Sequence, residues 1–151
     1  MAQRDLINSL EVVHLTNLTL SGTTPASSDW VDTRDCNSVT FMVVTNTVTD
    51  AGTAAGFSFA MQENDDTTGA GATAVASTDI VGANSDLTVT SDSADDSIPG
   101  IVGYVGRRRY VRLTATGTTG TDADVSVVAI KHRLNLRNQG RTLVGTSVAA
   151  T

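Results

Sequence analysis

Four arginines fall within six positions, at 107 to 112, inside the stretch GYVGRRRYVRLTATG (103–117), and two tyrosines accompany them in a chain of formal net charge −6. A guanidinium keeps its charge at any physiological pH, pairs bidentately with carboxylates and phosphates, and stacks on aromatic rings. That is recognition chemistry rather than bond-making chemistry. A nucleic-acid site would add a basic groove and stacking aromatics. The whole chain has only six aromatic residues, and its 16 acidic side chains outnumber its 10 basic ones, so no nucleic-acid partner is expected. The plain alternative is a charged turn that balances the acidic loops. Arginine and tyrosine are enriched where proteins meet. Arg107, Arg108, Arg109, Tyr110 and Arg112 are therefore predicted to form a protein interface facing an acidic surface, away from the Asp-rich loops at 64–66 and 92–96.

Other residues capable of chemistry do not assemble into a motif. Cys36, the single cysteine, could act as a nucleophile only with a base, and His14 and His132 lie on separate strand-like segments. It reads as a small half-buried hydrophobe. The carboxylates of NDD (64–66) and SDSADDS (91–97) lack the alternating oxygen ligands and glycine of a calcium loop, and read as solvated acidic loops. Gly69 and Gly71 sit in a loop with no phosphate-binding context. No catalytic residue, metal, cofactor or small-molecule substrate is expected. A glycan platform would have to use Trp30, Tyr104 or Tyr110, the large aromatics with a polar handle.

The elements that must hold the arginines are strands. Thr (24), Val (18), Ala (17), Ser (13) and Gly (13) dominate while Leu is only 10, a composition that fits pleated surfaces and disfavours helices. EVVHLTNLTL (11–20) alternates and then slips by one, which predicts a bulge near Asn17. DWVDTRD gives a short strand. SVTFMVVT (38–45) is apolar on both faces and predicts a central strand buried on both sides, with GFSFAMQE (56–63) as its hairpin neighbour and Phe57, Phe59 and Met61 inward. The loop at 64–78 carries no large anchor and is expected to be mobile. DIVG and DLTVT offer two short strands. VGYV and RYVRLTA predict a hairpin whose turn is Gly106-Arg107-Arg108, with Gly106 able to take a positive φ. Val111, Leu113 and Ala115 then point inward, and Tyr110, Arg112 and Thr114 outward. VSVVAIKHR (125–133) is the last core strand, with Val125, Val127 and Ala129 on one face. Strands of this number and spacing predict one all-β domain at 11–133, an antiparallel sandwich or barrel, between polar arms at 1–10 and 134–151.

Charge divides along the chain: residues 1–106 carry a net −12 and residues 107–151 a net +6, which suggests an oriented surface. MAQRDLINSL lacks the apolar core of a signal peptide, and no apolar run approaches the ~20 residues that span a bilayer. A protein kept in a cytoplasm, or released by a route other than secretion, is expected, with no membrane partner.

Three segments, DWVDTRDCNSVTFMVV, FSFAMQENDD and GYVGRRRYVRLTATG, resemble in order a family of small tailed-bacteriophage head proteins. That family reads as a V-D-T/turn/S-V-T-F strand, an acidic loop and a G-Y-x-G-basic-R-Y-V-R-L hairpin. The resemblance spans residues 29–131; the stretch after Asp66 is longer and poorer in aromatics than the family pattern, and Asp35-Cys36 stands where a glycine turn is common. It implies a jelly-roll-like β-sandwich without catalytic residues, a capsid decoration (cement) protein bound to the major capsid protein on the outside of the virion. It also implies a homo-oligomer, with a trimer favoured. A head-completion or tail component of the same virion, or a glycan-binding sandwich, are the other readings.

Overall fold

Alternation of apolar and polar side chains is satisfied by two sheets packed face to face, every second residue of each strand entering the space between them. The computed structural model describes residues 9–132; the expected arms, apart from Ser9 and Leu10, lie outside these residues. One antiparallel sheet, A, has the order β1 (Leu10–Ser21), β10 (Asp122–His132), β4 (Ser38–Asp50), β8 (Ile101–Tyr104), β7 (Ile80–Val81). The other, B, has the order β2 (Ala26–Ser27), β9 (Tyr110–Thr116), β5 (Ser58–Asn64), β6 (Thr73–Ala74), with β3 (Val31–Asp32) also on β9. The pairing is nested: β1 takes β10, β2 and β3 take β9, β4 takes β8, and β5 takes β6. Helical pieces among the described residues are two 3₁₀ turns, Ser77–Asp79 and Asn84–Leu87.

The inward sets agree with the alternation. Phe57, Phe59 and Met61, then Val111, Leu113 and Ala115, then Val125, Val127 and Ala129 are all buried together with Val39, Phe41 and Val43. The register of β1 against β10 shifts between His14 and Asn17, where the slip in pattern predicts a bulge, and Leu15, Leu18 and Leu20 stay inside as a result.

Several expectations are corrected. SVTFMVVT is central in its sheet but buried on one face only: Met42 and Val44 are half-exposed on the outer side, because nothing in the described chain covers sheet A from outside. β4 and β5 are not hairpin neighbours; the connection from Ala51 to Phe57 crosses from sheet A to sheet B. VGYV and RYVRLTA likewise lie in different sheets, so the arginine turn is an arch between sheets and not a hairpin turn. DLTVT is a 3₁₀ turn followed by a single bridge from Val89 to Phe57. The loop at 64–78 has an anchor after all, since Val75 is buried and donates its N–H to the Met61 carbonyl at 3.1 Å, next to the short ladder of β6 on β5.

The acidic loop at 91–97 is not simply solvated. Beyond Thr45 the second half of β4 runs past the end of β8, and this loop supplies acceptors instead. Asp95 Oδ1 accepts the Val48 N–H at 2.6 Å and Asp92 Oδ1 the Ala51 N–H at 2.8 Å, while the buried Thr45 hydroxyl bonds to Ala94 and Ser97. An unpaired N–H on a buried residue costs about 1–3 kcal/mol. Asp95→Ala, which strips the buried Val48 of its acceptor, should therefore lower stability by about that amount in urea titration. A surface substitution without this role stays within roughly ±0.5 kcal/mol.

Candidate protein interface

The arginine arch is built around one tyrosine. Tyr104, the last residue of β8, is 1% exposed, and its hydroxyl donates to Glu63 Oε2 at 2.7 Å and accepts the Arg108 N–H at 3.0 Å. One phenol thus ties the arch to the end of β5. Gly106 is required for a reason other than the one expected. Its φ is not positive; a Cβ there would come within 2.5 Å of the Tyr104 ring, so only glycine lets the chain pass over the ring. Beyond it, the turn after β3 grips the arch backbone: Thr33 donates its N–H to the Arg109 carbonyl at 2.8 Å and its hydroxyl to the Arg108 carbonyl at 2.9 Å.

The five predicted interface residues take different positions. Arg108 pairs with Asp65, so the arch lies against the 64–66 loop and not away from it: β5 and β9 run side by side with Asn64 opposite Tyr110. Arg109 reaches Asp32 Oδ2 at 3.3 Å and lies over the Tyr110 ring at 4.8 Å. Arg112 donates through Nε and Nη2 to Gln62 Oε1, at 3.0 and 2.9 Å, and lies over the Trp30 ring at 4.3 Å. Burial holds the Arg112 guanidinium below its usual pKa. Arg107 has no ion-pair or side-chain hydrogen-bond partner among the described residues.

Trp30, Asp32, Arg34 and Gln62 complete this surface and were not predicted as part of it. Burial raises the Asp32 carboxyl, but hydrogen bonds from Arg34 and Arg109 outweigh that and hold it below the usual carboxylate value. Gln62 and Arg112 both point outward by alternation alone. That they meet follows only from the register of β5 on β9. Together these side chains form a layer of arginine and aromatic rings on the outer face of sheet B.

The remaining candidates do not converge. The Cys36 thiol donates to the Thr33 carbonyl at 3.4 Å, and burial pushes its pKa up. The His132 ring bonds instead to the Thr40 hydroxyl at 2.9 Å, and His14 belongs to β1, opposite Val128 of β10. Tyr104 is too buried to serve a glycan platform, and Trp30 and Tyr110 each carry an arginine on one ring face. No group of three or more metal-ligating side chains occurs among the described residues. Among known proteins, no family model matches the chain, and no curated protein and no solved structure matches it either.

Burial, with the Glu63 hydrogen bond behind it, holds the Tyr104 phenol well above its ordinary pKa. The folded chain keeps this proton after the unfolded chain has lost it, so stability is unaffected below about pH 10 and falls as pH rises above that. Tyr104→Phe should flatten this alkaline fall in denaturant titrations. It should also cost about 1–3 kcal/mol at neutral pH, because Glu63 and the Arg108 N–H lose their shared partner. Equal alkaline slopes in the two proteins would show that Tyr104 ionises freely.

Proposed function

We propose that the chain is a structural virion protein, a capsid decoration protein that binds the outer surface of a bacteriophage head and reinforces the major capsid protein shell. The observation that carries this reading is the layer of Trp30, Arg109, Tyr110 and Arg112 on the outer face of sheet B. Tryptophan, tyrosine and arginine are the residues that most often anchor protein interfaces. Three of the four fall in the segment that most resembles the phage head proteins. The nested strand order supports a jelly roll, an architecture used by viral capsid and lectin domains alike. The virion is the expected location. A head-completion or tail role would use the same surface at far lower copy number, so counting copies per particle separates the readings.

Binding to undecorated heads tests the surface residue by residue. Arg112 is half-buried on Trp30, so Arg112→Ala should weaken binding by about 2 kcal/mol or more. Arg108 is exposed and already paired with Asp65, so Arg108→Ala should change it by only about 0–1 kcal/mol. Full affinity in both Arg112→Ala and the triple Arg107/Arg108/Arg109→Ser variant would sink the proposal.

Self-association is proposed through the other side of the molecule. On the outer face of sheet A, Val12, Ile130, Thr40, Gly103 and Val81 line up in one row across all five strands, with Val128, Met42 and Ile101 in the next. Val12, Val81 and Ile101 are 61%, 60% and 56% exposed. These eight residues carry no charge, so a second copy can meet this part of the face, away from the exposed Asp122 and Asp124 at the other end of β10, without the like-charge contact that a chain of net charge −6 otherwise offers. Ile101→Asp should convert the oligomer to monomer, read by light scattering; an unchanged mass would exclude this face.

A further inference from the structure

A cavity of about 420 Å³ opens at one end of the sandwich, between the β3–β4 turn and the arch from β8 to β9. Arg34, Arg107 and Arg109 line it with Asn37 and Ser38, and no acidic side chain is part of the lining. Its floor includes Val39 and Tyr104, both buried. Three guanidiniums, two of them sharing Asp32 and the third, Arg107, without a partner among the described residues, describe a place for an anion. The volume is more than ten times the ~30 Å³ share of one water molecule, which is room for a side chain and not only a solvent ion.

The guanidiniums already show what they select. Arg34 and Arg109 converge on a single carboxylate oxygen, Asp32 Oδ2, at 2.7 and 3.3 Å. That contact uses Nη2 of Arg34 and Nε and Nη2 of Arg109, and leaves Nη1 of each. Arg107, with no partner among the described residues, brings five further donors to the rim. We propose that this cavity is a receptor for a carboxylate, presented by an acidic side chain of a docked protein. The proposal rests on reading the arginine arch as a contact surface. A glutamate side chain has the reach to enter the opening and set its carboxylate among the free guanidinium donors.

The test uses the full chain in solution and three probes: glutarate, its uncharged analogue glutaramide, and inorganic phosphate. Amide chemical shifts of Asn37, Ser38, Gly106 and Arg107 should move saturably with glutarate, less with phosphate and not with glutaramide. Arg107→Gln, whose spectrum otherwise reports an intact fold, should weaken glutarate about tenfold or more, as loss of a charge-assisted fork predicts. On undecorated heads the same variant should raise the off-rate by about tenfold. Shifts scattered over every arginine, equal shifts with glutaramide, tighter binding of phosphate than of glutarate, or an unchanged glutarate affinity in Arg107→Gln would each overturn the carboxylate receptor. A tenfold loss for glutarate with an unchanged off-rate from heads would overturn its use in docking. The glutarate result is read on the free chain, so it stands whether or not the chain decorates heads.

Discussion

The structure depends on β10 lying between β1 and β4. This strand is hydrogen-bonded on both sides over nearly its whole length, and it contributes Val125, Val127 and Ala129 to the centre of the core. Its partner on one side is the first described strand, so the two ends of the described segment are joined before any interior pairing is counted. Once Leu10 faces His132, a chain that does not thread its own loops has few choices left. Its interior strands pair as nested antiparallel partners, alternating between two sheets. The turn before β10 secures the arrangement through one buried residue. Thr121 accepts the Gly22 N–H on its carbonyl at 2.7 Å, and its hydroxyl bonds to the Ala51 carbonyl and the Thr118 N–H at 3.1 and 2.8 Å. Three connections between sheets are thereby fastened at one point.

Nesting also explains the charge. The acidic first two-thirds and the basic last third look segregated along the sequence, a division that reads as an oriented surface. Folding the chain back on itself lays one over the other. Glu11 meets Lys131 across β1 and β10, Asp32 meets Arg109 across β3 and β9, and Asp65 meets Arg108 beside β5 and β9. The two arginine pairs, open to solvent, contribute little stability each. Their effect is to set orientation, because the arch is held between two acidic neighbours and Arg107 is left as its unpaired member.

What was legible in the sequence was whatever a single strand decides. Period-two alternation identified the inward residues of β5, β9 and β10, and the slip after Leu15 located the irregularity in β1. What was not legible was whatever two strands decide together. Gly106-Arg107-Arg108 could close a hairpin or carry the chain across to the other sheet, and local turn chemistry does not distinguish them. Gly106 looked like a turn glycine, but its role depends on a ring two residues earlier that folds beneath it. The stacking of Arg112 on Trp30 and the pairing of Arg108 with Asp65 were out of reach for the same reason, since each joins residues dozens of positions apart whose neighbourhood is set by strand order.

The two outer faces follow from the same sequence features read on the other side of each strand. On sheet B the outward positions of β5 and β9 are Ser58, Ala60 and Gln62, then Tyr110, Arg112 and Thr114, and three of them are joined: Gln62 Oε1 accepts from Arg112 and from Thr114. Its aromatic and cationic groups are held in place before any partner arrives, so little side-chain entropy remains to be lost on contact. On sheet A the outward positions of β4 and β10 include Met42, Val44, Val128 and Ile130, which water solvates poorly and no described element covers. The double-sided apolar pattern of SVTFMVVT is that of a strand covered on both faces. The described chain covers one of them and leaves the other, with its apolar side chains, facing outward.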